Sequence, residues 1–60
     1  MRMLRLHHYG AEILVNPAYI ETVFPSATEG IGAYVYVSGE EGPLHTDEDL
    51  ETIDRKIALS

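Results

Sequence analysis

Cysteine is absent from this 60-residue chain, which excludes disulfides and thiolate zinc sites. A chain so short buries only about 60% of the surface it exposes when unfolded, so a lone core is marginally stable. Small chains compensate with disulfides, a metal or oligomerisation. The three histidines, His7, His8 and His45, lack ligand spacing such as His-x-x-x-His. His7 and His8 are neighbours on an expected strand, and neighbours on a strand point to opposite faces. No metal or cofactor is expected, and a homo-oligomer is the expected way to complete the core.

Cations are also scarce. Four Lys and Arg stand against ten Asp and Glu, for a formal net charge of −6. Phosphate binding needs clustered basic side chains, so a nucleic-acid partner is disfavoured. The same shortage weakens a stacking platform built from Tyr9, Tyr19, Tyr34 and Tyr36, because such platforms sit in basic grooves. Long apolar runs are missing too. None approaches the roughly 18 residues of a transmembrane helix. The opening "MRMLRLHHYG" has too short an apolar stretch for a signal peptide. The expectation is a cytoplasmic protein with no membrane partner.

The acids are unevenly placed. Residues 1–39 hold Glu12, Glu21 and Glu29, while the stretch from Glu40 to Asp54 carries seven of the ten. Such a run suits a basic protein partner or, more simply, solubility. Acid–base catalysis would need carboxylates positioned in a cleft with tuned pKa values. A helix start loaded with acids already has a sufficient cause in capping and the helix dipole. A chain this small has little room for a pocket of several hundred Å3, and no enzyme is expected.

Along the chain, "RMLRLHHY" alternates Leu4, Leu6 and His8 with Met3, Arg5 and His7, the period of a half-buried strand. A turn at Gly10 leads to a second strand, "AEILV", in a hairpin. Asn16-Pro17 then ends the ladder, since proline has no N–H and restricts the residue before it. A one-turn helix at "PAYI" is an alternative at this corner, because proline suits a first helical turn. In the third strand, "YIETVFPS", ideal alternation places Tyr19, Glu21 and Val23 opposite Ile20, Thr22 and Phe24. "PSATEGIG" reads as a loop. "AYVYVS" sends Tyr34 and Tyr36 to one face, and it is a candidate edge for pairing with a second copy. Pro43 restricts "PLHT" to a brief fifth strand at an edge or strand start.

The last segment is an amphipathic helix with Leu50, Ile53 and Ile57 on one side. Thr46 is the expected N-cap, with Asp49 in a variant capping box and Asp47 as the other choice. Glu51 and Arg55 form an i,i+4 pair in the favoured order. The fold class is α+β. One domain, residues 1–60, has a small antiparallel β-meander of four or five strands within 2–45 and a C-terminal helix over about 47–58. Tyr19, Tyr34, Tyr36, Leu50, Ile53 and Ile57 are the candidate protein-interface residues.

These pieces, taken in order, resemble the small bacterial flagellar proteins known as FlbD or SwrD. The matching segments are Arg5-Leu6, Gly10-Ala11-Glu12, Ile13-Leu14-Val15, "NPAYIETV" from Asn16 to Val23, Tyr34 to Gly39, and Asp49 to Ile57. They cover nearly the whole chain, and the Asn-Pro-x-x-Ile-Glu-x-Val stretch is the specific part. The resemblance implies a cytoplasmic accessory protein of motility, working through an unidentified protein partner with no known catalysis and no active-site residues to carry over. A rival resemblance is to RNA-binding regulators of the carbon-storage type, on the strand meander and "LHTDEDL". Threonine and aspartate stand there in place of RNA-contacting basic residues. A phage or mobile-element protein of unrelated role is a further alternative.

Overall fold

The computed structural model describes residues 2–26 and 32–60, so most of the expected "PSATEGIG" loop lies outside the described residues. Strand β1 (Leu4–His8) pairs antiparallel with β2 (Ala11–Val15), from Leu4 opposite Val15 to His8 opposite Ala11. Only Tyr9 and Gly10 connect them, with φ of 49° and 84°. Two positive values in succession make a type I′ turn, whose twist matches that of the flanking strands.

Asn16 then makes the corner. Its side-chain oxygen accepts from the Ala18 N–H at 3.0 Å, and its carbonyl accepts from the Tyr19 N–H at 3.0 Å. The result is one turn of 3-10 helix over Pro17–Tyr19, with proline where its missing N–H costs nothing. Strand β3 (Ile20–Pro25) leaves this turn in a new direction. The expected meander is therefore two sheets: β1–β2, and a second in the order β3–β4–β5, with β4 at Ala33–Val37 and β5 at Leu44–Thr46. The sheets meet where the Asp47 N–H donates to the His7 carbonyl at 2.7 Å.

The α+β class holds, with five strands and one C-terminal helix among the described residues. Strand β4 is central, however, so the expectation that "AYVYVS" forms an edge fails. A bulge also corrects the faces of β3. Ile20 opposes Val37 while Thr22 opposes Tyr36, which leaves Glu21 as the extra residue. The bulge shifts the alternation by one place. Ile20 and Val23 both pack on the core, and Thr22 and Phe24 turn outward.

That core comprises Leu4, Leu6, Val15, Ala33, Val35 and Ile53, ringed by partly buried Ile13, Ile20, Val23, Val37, Leu44 and Ile57. Helix α1 (Leu50–Leu59) closes it. Its cap is Asp49, whose carboxylate accepts from the Thr52 N–H at 2.9 Å, so the helix starts later than Thr46 or Asp47 would place it. Thr46 is instead the buried last residue of β5, donating its hydroxyl to the Glu48 carbonyl at 3.1 Å. Among the described residues no helix is long and apolar enough to cross a membrane.

Candidate functional site: an aromatic sheet face and an acid-rimmed groove

The three acids before α1 are consecutive, yet each holds a different part of the chain. Asp47 accepts from the backbone N–H groups of Tyr9 and Gly10 at 3.2 and 2.9 Å, bracing the type I′ turn. Glu48 accepts from the His7 N–H at 2.9 Å, from His7 Nδ1 at 2.7 Å and from Lys56 Nζ at 3.3 Å. A carboxylate can only accept, so His7 carries its proton on Nδ1. Burial opposes ionisation of Glu48, but the bonds from His7 and Lys56 outweigh it and hold the carboxyl below the usual range. Lys56 also donates to the Arg5 carbonyl at 2.8 Å, tying α1 to β1. Asp49 caps the helix. Capping, a turn and a strand contact occupy all three, and among the described residues no group of three or more His, Cys, Asp or Glu could hold a metal ion.

On the outer face of the second sheet, the side chains are aromatic. Phe24 opposes Tyr34, and Tyr34 opposes His45, so the three point outward together across β3, β4 and β5. Phe24 and Tyr36 meet edge to face at 5.6 Å between ring centres, and Tyr34 meets His45 at 5.3 Å. Tyr9 extends the arc from the first hairpin, stacking on His45 at 5.0 Å with planes 21° apart. His8 fixes the join: its Nδ1 donates to the His45 carbonyl at 2.6 Å. The Nδ1 of His45 is buried with no hydrogen-bond partner. Tyr9 is 76% exposed, Phe24 52% and Tyr36 39%, so the arc is an open apolar surface with hydroxyl and imidazole edges.

A second feature lies on the other side of β3, where Val23 points away from Phe24. Val23, Leu50, Ile53 and Ile57 floor an open groove of about 300 Å3, and Glu51 and Asp54 form its rim. Among the described residues, the expected Glu51–Arg55 pair does not form; the ion pairs are Arg5–Glu12 and those of His7 and Lys56. Among the described residues, neither rim carboxylate is in an ion pair.

The six expected interface residues thus divide. Tyr34 and Tyr36 share the aromatic face. Leu50, Ile53 and Ile57 line the groove, and Ile53, fully buried at its floor, is also part of the core. Tyr19 is exposed on the corner and belongs to neither the groove lining nor the ring contacts found among the described residues. Phe24, Tyr9 and His45 complete the face and were missing from the expected set. Ideal alternation rightly sets Phe24 beside Thr22 and opposite Val23 but groups it with Ile20, which the bulge turns inward, and Tyr9 stands in a turn, where alternation gives no signal. No protein-family model, curated protein or solved structure matches the chain.

Proposed function

We propose that the chain is a non-enzymatic interaction protein that self-associates through the aromatic face of its three-stranded sheet and acts on a protein partner. The observation that carries this reading is the contrast between its two kinds of side chain. The acids and histidines nearest to one another are occupied by folding contacts, whereas Phe24, Tyr34, Tyr36 and Tyr9 remain uncovered. Tyrosine and phenylalanine supply large contact area at little conformational cost, which suits them to an interface. The resemblance of the Asn16–Val23 corner to FlbD or SwrD extends the proposal to an accessory role in motility in the cytoplasm.

The test is affinity capture on the immobilised chain and on a Tyr34→Ser/Tyr36→Ser variant. A discrete protein retained by both, with added soluble chain retained only by the first, is the expected result. Retention of RNA or DNA that falls steeply with salt would instead favour the regulator reading. For the motility role, deleting the gene in a flagellated host should reduce spreading in soft agar, with flagella still assembled.

A further inference from the structure

We infer that the groove between α1 and β3 binds a basic amphipathic segment of a partner protein, seating its apolar side chains between Val23, Leu50 and Ile57 and its lysines or arginines on Glu51 and Asp54. The inference rests on the reading of the chain as an interaction protein and adds the chemistry of the partner.

Charge complementarity selects this occupant. The floor is apolar, and both charged lining residues are acids. The four cations of the chain are Arg2, Arg5, Arg55 and Lys56. Three of them, Arg2, Arg5 and Lys56, line a separate hollow with Met3 and Leu59 on the opposite flank of α1. Arg5 pairs with Glu12, and Lys56 with Glu48. Arg55 follows Asp54 directly, yet forms no ion pair with Glu51 or Asp54 among the described residues. Among the described residues, the rim carboxylates are thus outside the ion pairs of the chain.

The wider field acts in the same direction. A net charge of −6 draws a basic segment toward the acidic rim at long range. An apolar groove with charges along its edge is the usual receiver of an amphipathic helix, whose anchors recur every three or four residues. Leu50, 40% exposed, is the residue such an anchor would cover first.

The probe is a synthetic peptide of leucine and lysine at helical spacing, about 14 residues or four turns long. Its binding is followed by fluorescence anisotropy. Glu51→Lys/Asp54→Lys is expected to weaken binding about tenfold or more. Glu40→Lys/Glu41→Lys changes the net charge equally but lies away from the groove, and should weaken binding by less than about threefold. Leu50→Ser should weaken it as well, with far-ultraviolet circular dichroism unchanged. Equal losses in the two charge variants, or none in the first, would overturn the inference. So would loss of self-association in the Glu51→Lys/Asp54→Lys variant without any peptide binding, which would assign the groove to a second copy. Self-association through Tyr36 and Phe24 is measured separately, so failure of the groove and failure of the sheet face are distinguishable.

Discussion

Gly32 shows how much a single position can demand. Its φ is +83°, and a Cβ there would run into the Thr46 carbonyl and come within 2.9 Å of His45 Nε2. The residue thus sets the spacing between β4 and β5 beneath the aromatic arc. Gly32→Ala should lose more than about 1 kcal/mol of stability, read as a lower urea midpoint. Glu48 makes a different demand. Glu48→Gln removes the charged acceptor of His7 and Lys56 and should cost roughly 1.5–3 kcal/mol at neutral pH. The pH dependence follows from the depressed pKa of the folded state. A glutamate in the unfolded chain titrates near about pH 4.3. The contribution is whole above that value and is lost as pH falls through the lower folded one. Urea titrations over this range should therefore show a shallower acid limb for Glu48→Gln. The glycine was visible in the sequence as loop punctuation, but its close approach to β5 was not, because no local pattern reports what stands across a strand pair.

Elements were legible where their cause is local. Alternation identified β1 and β4, a short aliphatic run after the Gly10 turn identified β2, and the apolar spacing of Leu50, Ile53 and Ile57 identified α1. The start of α1 was displaced because Asp47 and Glu48, both plausible first-turn acids, are drawn to Tyr9, Gly10 and His7, remote in sequence and adjacent in space. The cap that remains, Asp49, is exposed. Asp49→Ala should shorten the first turn of α1, seen as reduced helical ellipticity before any change in the sheet signal. Strand β3 was misread for a related reason. A bulge at Glu21 is a property of the pairing with β4, and ideal alternation cannot contain it. Its consequence is the proposed interface: it turns Ile20 and Val23 inward together and leaves Phe24 beside Tyr36 on the outer face. Ile53→Ala, which opens the fully buried centre of the contact between α1 and the sheets, should cost about 2–5 kcal/mol. For so small a domain that is most of the available stability, and thermal melts should show a broad, early transition.

The molecule as a whole carries apolar surface on two sides and acids along its second half. The Asn16-Pro17 corner produces this arrangement, because it splits what would be one meander into two sheets and lets α1 cover their inner faces. The outer face of β3–β5 is then left uncovered. Composition makes oligomerisation the expectation, since 60 residues without cysteine have few other ways to gain stability. It did not place the proposed self-contact, which rests on the bulge and on the stacking of Tyr9 over His45. Sedimentation velocity at micromolar concentration, on the chain and on a Phe24→Ser/Tyr36→Ser variant, measures that contact directly. A dimer or larger species that dissociates to a folded monomer in the variant is the predicted result; a stable monomer of the unsubstituted chain would contradict it.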